Sequence, residues 1–177
     1  MSVDRIEETF GEKPEKFLTD AGNNSGAVQQ AMEARGVELY TPVPQPVPGN
    51  PALRDDPTQP VPEQAWPQLP RNNQKQLDKS CFVYDADGNQ YYCPQGHALP
   101  YAESKLDRQP GQAVRRSIYR CEACTGCPLA SACVSPKSHG GRTISRDEFE
   151  EVRERTAARM RTEAAQGIYN RRPQIAE

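Results

Sequence analysis

The sequence predicts an α/β fragment: a partial sheet built as strand–helix–strand, then a proline-rich spacer, a small cysteine-rich β insert and a long C-terminal helix. Three observations lead to this prediction. Near the start, two short apolar runs flank a segment whose apolar residues recur at helical spacing. Ten prolines lie within residues 41–70. Five of the six cysteines lie between residues 93 and 133.

Composition limits the class of protein. The chain has 177 residues, of which 35% are hydrophobic, and its mean hydropathy is −0.88, so little apolar material is present for a core. A net charge of −2 excludes a uniformly basic nucleic-acid binder but allows local basic patches. No apolar run approaches the ~18 residues of a membrane helix, and the polar start lacks a signal-peptide pattern. We therefore expect a cytoplasmic protein with no membrane partner.

Residues 1–40 predict one compact α/β piece. Val3, Ile6 and Phe10 recur at helical spacing, and a second helix is expected between two apolar strands. The expected elements are a helix ending at Gly11, a strand over 16–20, a helix over 23–35 and a strand over 37–40. Strands joined by a helix of this length pair in parallel, which places Asp20 at the carboxyl end of the first strand.

The middle of the chain divides into a linker and an insert. Residues 41–74 are expected to be an extended, semi-rigid linker, because prolines cannot continue a helix or a strand ladder. Residues 75–140 form the cysteine-rich insert. It begins with a predicted hairpin, since Asp87-Gly88 is a strong turn signal between two short apolar strands.

Residues 141–177 predict a long helix over 143–172. Ser145 is the expected N-cap, and Glu148 would complete a capping box with it. A break is expected near Gly167. The expected apolar stripe of this helix is formed by Phe149, Val152, Thr156 and Met160.

The cysteine spacing indicates a metal site. In a cytoplasmic chain, clustered cysteines favour metal binding over disulfides. The expected zinc ligands are Cys93, Cys124, Cys127 and Cys133, with Cys121 as an alternative and His97 as a further substitute. Such a closed site is structural, and the metal would supply much of the folding free energy of a zinc-binding insert with so little core.

Two other interpretations of these cysteines stay open. Cys121, Cys124 and Cys127, followed by a proline, resemble part of the run that holds iron–sulfur clusters in bacterial ferredoxins; a redox module would follow. Zinc is favoured because the next cysteine comes too late and the flanking residues are polar. The third interpretation is that the thiols are structural and bind nothing.

The segment 105–120 is the strongest candidate for contact with phosphates. It carries five basic residues and one acidic residue, whereas the later Arg-rich helix is close to neutral and is typical of a solvated face. Arg115, Arg116 and Arg120 are the candidate contacts. They would also offset the negative charge of metal-bound thiolates.

Short motifs run along nearly the whole chain. They are Pro14–Gly22, Gly36–Pro42, Phe82–Asp87, Tyr92–Gly96, Tyr119–Leu129, Arg142–Arg146 and Tyr169–Glu177. In this order they resemble the motifs of bacterial insertion-sequence transposases with a DDE catalytic domain. Asn23 departs from the pattern, because that family usually has Tyr there.

The resemblance implies an RNase H-like fold. It also implies a protein that binds the ends of a transposon in DNA and transposes the element. In the family, an acidic triad holds two Mg²⁺ ions, which activate water and then a 3′-hydroxyl for attack on phosphodiesters. By motif, Asp20 matches the second acid of the triad and Glu177 the third. The same resemblance makes Arg115, Arg116 and Arg120 candidate DNA contacts.

One departure bears on activity. The family's first Asp lies on a strand ahead of the helix that opens this chain, and no residue before Asp20 matches it. We therefore expect a truncated piece of a transposase that does not cut or join DNA alone. The alternative function is a non-enzymatic, zinc-stabilised nucleic-acid adaptor, in which Asp20 is only a turn or helix N-cap residue.

Overall fold

The structure, a computed structural model, describes residues 3–109, 112–136, 138 and 140–171. The chain divides into two compact units: Met1–Gln45 together with Phe149–Glu177, and Pro46–Glu148. We call them unit 1 and unit 2. In chain order the helices and strands are α1 (Val3–Phe10), β1 (Lys16–Leu18), α2 (Gly26–Ala34), β2 (Glu38–Tyr40), β3 (Val83–Asp85), β4 (Gln90–Tyr92), β5 (Ala98–Gln109), β6 (Gln112–Arg120), α3 (Ala130–Cys133), β7 (Thr143–Asp147), α4 (Glu150–Met160) and α5 (Glu163–Tyr169).

The strand–helix–strand start of unit 1 agrees with the prediction. Strands β1 and β2 pair in parallel with Phe17 opposite Leu39, and α2 connects them. The Ser25 hydroxyl caps α2 by accepting the N–H of Val28 at 3.3 Å, and Gly36 follows the helix with a φ of +68°. The helix expected over 23–35 therefore forms over Gly26–Ala34, between a hydroxyl cap and a glycine of positive φ.

Helices α4 and α5 supply the rest of the unit 1 core. Val152, Thr156 and Met160 are buried, as the predicted stripe requires. Met160 packs in one cluster with Tyr40 and Ala165. The helix break occurs before Gly167: α5 begins after Thr162, whose hydroxyl accepts the N–H of Ala165 at 3.2 Å.

The predicted start of the long helix is wrong. Ser145 lies in strand β7, where it pairs with Ile118 of β6, and α4 begins at Glu150. Glu148 caps no helix; instead its Oε1 accepts the backbone N–H of Arg115 at 2.8 Å. The physical reason is that Ile144 is only 3% exposed, and its burial in a sheet outweighs a local capping pattern.

Unit 2 is a five-stranded antiparallel sheet in the order β3-β4-β5-β6-β7. The β3–β4 hairpin is the predicted one, with Tyr84 opposite Tyr91. Strands β5 and β6 form a longer hairpin with a register shift between Tyr101 and Glu103. The core lies on one side of this sheet and contains Ala52, Leu69, Leu77, Cys81, Phe82, Tyr91, Cys93, Leu99, Tyr119, Cys121, Leu129, Cys133 and Ile144.

The proline-rich segment packs into unit 2 and is not an extended spacer over its second half. Ala52 and Leu69 are 0% and 2% exposed within the core cluster. Residues Glu63–Gln68 form a 3₁₀-helix, in which the Trp66 indole N–H donates to the Val61 carbonyl at 2.9 Å. Proline permits such turns, and the apolar residues between the prolines determine what is buried.

Over the residues that the structure describes, no helix is both long enough and apolar enough to cross a bilayer.

Two glycines of unit 2 allow a test of its packing. Both have positive φ, +77° at Gly96 and +68° at Gly49, but an added Cβ would collide with the Thr58 carbonyl only at Gly96. We expect Gly49→Ala to cost about 1 kcal/mol of unfolding free energy through backbone strain, and Gly96→Ala about 2–4 kcal/mol through strain and overpacking. The measurement is urea unfolding followed by fluorescence of Trp66, the one tryptophan of the chain. Equal losses would mean that the Thr58 segment moves aside freely.

Candidate functional site

Five cysteine sulfurs surround one small cavity of about 20 Å³ in unit 2. That space admits roughly one water-sized sphere. The contributing elements are distant in sequence. Cys93 follows β4, Cys121 follows β6, and Cys133 ends α3. Cys124 and Cys127 lie in the loop between β6 and α3, and His97 also lines the cavity.

Backbone amides point at four of the five sulfurs. The N–H groups of Gln95 and His97 donate to Cys93, and that of Ala123 donates to Cys121. The N–H groups of Leu129 and Ala130 donate to Cys127. The N–H of Arg142 donates to Cys124 Sγ at 3.3 Å. Amides directed at sulfur stabilise a thiolate, so these loops suit cysteines that carry negative charge.

The thiols also contact one another. The hydrogen bond between the Cys93 and Cys121 side chains holds the pKa of Cys93 below its usual value and the pKa of Cys121 above it. Burial raises the pKa of Cys133 to about 12, and it raises the pKa of Cys127 as well. Without a nearby cation, most of this cluster is therefore protonated, and a cation would have to displace those protons.

Arg142 is the positive group that lies next to the cluster. Its Nη1 donates to the Cys133 carbonyl at 3.0 Å and its Nη2 to the Leu77 carbonyl at 2.8 Å. The guanidinium also lies 5.2 Å from the centroid of the Phe82 ring. Sequence reasoning included Arg142 in a short motif but gave it no role, because its partners lie 9 and 65 positions away in the chain.

The chain passes very close to the sulfurs just before Arg142. An added Cβ at Gly141 would collide with the Cys121 carbonyl and would come within 3.0 Å of Cys124 Sγ. Only a glycine permits this approach. The strand β7 is thereby anchored directly to the cysteine loops.

The structure places all the cysteines that the sequence singles out, Cys121 included, around the same cavity. Cys81 lies elsewhere, where its thiol donates to the Pro70 carbonyl at 3.3 Å, and burial raises its pKa to about 11. Among the described residues, however, no three His, Cys, Asp or Glu side chains converge in the arrangement of a metal-holding group.

One of the two candidate acids lies in the part of the chain that the structure describes. Asp20 follows β1, as predicted, and is exposed. Its Oδ1 accepts the N–H of Gly22 at 3.2 Å and caps a 3₁₀-helix at Ala21–Asn23, which agrees with the turn interpretation of this residue. Glu177 lies outside the described residues, so its position relative to Asp20 stays a prediction.

The three candidate DNA-contacting arginines lie on β6 in different surroundings. Arg115 is exposed, and its backbone pairs with Glu148. Arg116 Nη2 lies 3.1 Å from Asp107 Oδ2. Arg120 Nη2 lies 3.9 Å from Glu103 Oε1. Two of the three are thus ion-paired across the β5–β6 hairpin.

Comparison with protein families gives one match. Residues 92–177 match a family model described as a transposase DDE domain. This is just under half of the chain; it includes the clustered cysteines and the three arginines and does not include Asp20. No curated protein and no solved structure matches the chain.

Removing Arg142 tests its part in unit 2. Arg142→Leu would leave two partly buried carbonyls without their donors, which we expect to cost about 2–4 kcal/mol of unfolding free energy. Arg142→Lys should recover part of that loss, because it keeps a charge and one donor. Arg120→Leu, at an exposed position of the same sheet, is the control and should change stability by about 0.5 kcal/mol or less. The measurement is the urea midpoint of unfolding, followed by Trp66 fluorescence. An Arg142→Leu variant as stable as wild type would refute the stabilising role of Arg142.

Proposed function

We propose that this chain is a piece of a bacterial insertion-sequence DDE transposase and that it binds DNA at transposon ends. The observation that carries the proposal is the transposase DDE domain match over residues 92–177. The motif resemblance extends it to the N-terminal segment, where the parallel strand–helix–strand unit of β1, α2 and β2 is compatible with part of an RNase H-like sheet. The match favours this function over a non-enzymatic adaptor.

The family's chemistry uses a divalent metal, and we propose that Asp20 and Glu177 would hold Mg²⁺ in a complete catalytic centre. The described residues do not by themselves fit such a centre. Asp20 is an exposed carboxylate that caps a turn, and among the described residues no group of three metal-ligating side chains forms. A two-metal centre needs several convergent carboxylates, so we derive no catalytic step for this chain and propose that it does not cut or join DNA alone.

We further propose that the cysteine cluster binds one structural zinc ion. The chemistry of the donor set supports this, since thiolate sulfurs favour zinc, while the described side chains would have to move closer together to form a metal-holding group. The amides directed at Cys93, Cys121, Cys124 and Cys127 and the adjacent Arg142 guanidinium would offset the charge of bound thiolates. Holding the ion would require the sulfurs to exchange their mutual hydrogen bonds for bonds to the metal. Cys93, Cys124, Cys127 and Cys133 are the proposed ligands, with Cys121 as the alternative.

Elemental analysis of the purified chain tests the zinc proposal. We expect about one zinc per chain, and loss of that zinc in Cys93→Ser and Cys127→Ser, because each removes a thiolate. Cys81→Ala is the matched control: it also removes a buried thiol, but one outside the cavity, and should keep the metal. Wild-type protein without zinc would overturn the proposal, and iron with visible absorption would establish the iron–sulfur alternative.

A DNA assay tests the functional proposal. With Mg²⁺ and labelled duplex that carries insertion-sequence ends, the chain should bind DNA and release no cleaved or joined product. Asp20→Asn should bind as tightly as wild type, because Asp20 is an exposed residue that caps a turn and an Asn side chain can make the same cap. The absence of any DNA binding would contradict the transposase assignment. Cleavage that disappears in Asp20→Asn would instead prove that the chain is catalytically competent.

A further inference from the structure

The register of β5, β6 and β7 sorts the charged side chains of this sheet onto two faces. Residues directly opposite each other in antiparallel strands point to the same side, and the side alternates along each strand. Lys105 lies opposite Arg116, and Asp107 lies opposite Val114. Leu106 lies opposite Arg115, and these two side chains therefore point to the other side.

One side, which we call the paired face, carries Glu103, Lys105, Asp107, Arg116 and Arg120. Its charges are matched in ion pairs: Lys105 with Glu103 at 3.1 Å, and Arg116 with Asp107 at 3.1 Å. Arg120 lies 3.9 Å from the same Glu103 carboxylate. A polyanion would have to compete with these carboxylates for the basic groups, so this face offers it little net attraction.

The opposite side, which we call the arginine face, holds the core residues Tyr119 and Ile144 and, nearer the β5–β6 turn, Arg108 of β5, Arg115 of β6 and Arg146 of β7. Arg108 lies opposite Ala113, and Arg146 lies opposite Ser117. Arg115 is two residues from each of these β6 partners. The three arginines therefore form a diagonal row across three neighbouring strands, with roughly 7–8 Å between successive positions.

Two of the three arginines in this row are accessible to an anionic ligand, and the third is half-buried. Arg108 and Arg115 are exposed, and no described residue forms an ion pair with either. Arg146 stacks on Tyr84 at 4.1 Å from the ring centroid. The acid that follows β7 at this end, Glu148, directs its Oε1 to the Arg115 backbone N–H. Tyr101 and Leu106, on the same face, are 45% and 50% exposed.

We propose that the arginine face, and not the paired face, contacts the sugar–phosphate backbone of duplex DNA. This inference rests on the proposed function and assigns the DNA contact to a particular surface. A row of cations at regular spacing across a β-ribbon matches the repeating charge of a nucleic-acid backbone. Of the three arginines singled out in the sequence, only Arg115 belongs to this surface, and Arg108 and Arg146 complete it.

Two double variants with the same change of net charge separate the two faces. Arg108→Gln with Arg115→Gln removes two charges from the arginine face, and Lys105→Gln with Arg116→Gln removes two from the paired face of the same hairpin. The binding constant for a labelled random-sequence duplex is measured at several salt concentrations. Each lost phosphate contact should lower the slope of log K against log salt by about 0.9.

In the arginine-face variant the slope of log K against log salt should therefore fall by about 2, and DNA binding at low salt should weaken roughly 10-fold or more. The paired-face variant should keep the wild-type slope. Equal losses in both variants would overturn the face assignment and leave DNA binding itself intact. No binding by wild type would overturn the proposed function as well.

If acidic polypeptide, added as poly-glutamate, binds the wild type more tightly than DNA does, the partner is a protein and the inference fails. Unchanged Trp66 fluorescence confirms that each variant is folded.

Discussion

Unit 2 depends on one half-buried cation. The Arg142 guanidinium donates to the carbonyls of Leu77 and Cys133 and lies against Phe82, and the backbone N–H of Arg142 donates to Cys124 Sγ. These groups come from segments that are far apart in the chain, and no single apolar contact could join them all. Removing a guanidinium from water is costly unless its donors find partners, and here Nη1 and Nη2 find them in two backbone carbonyls. The strand β7, the cysteine loops and the segment around Leu77 are therefore constrained to one mutual arrangement.

Aromatic rings and sulfur atoms compensate for the low aliphatic content of this unit. Tyr84, Tyr91, Tyr101 and Tyr119 lie on one face of the sheet with neighbouring ring centroids 4.9–6.1 Å apart. Tilted and edge-to-face contacts of this kind add to simple burial. The Tyr119 hydroxyl finds a partner in Asn89 at 2.8 Å, so the phenols bring apolar area into the core without leaving polar atoms unsatisfied.

Sequence reasoning succeeded where a few neighbouring residues decide the structure. The helix between the first two strands and the Asp-Gly turn depend on neighbouring residues, and both elements form as expected. It failed at Ser145 because pairing with β6, which no local pattern encodes, overrides a good capping box. The cysteine cluster could be found from spacing. The hydrogen bond between Cys93 and Cys121 could not, since it depends on how β6 ends beside the loop after β4.

Unit 1 is assembled from two stretches separated by the whole of unit 2. During synthesis on a ribosome, β1, α2 and β2 emerge first, but Tyr40 cannot complete its packing until Met160 and Ala165 have also been translated. The five strands of unit 2, in contrast, are neighbours both in the chain and in the sheet, and such local topologies form quickly. Unit 2 is thus expected to fold before unit 1 is complete. Until then, β1, α2 and β2 remain incompletely packed.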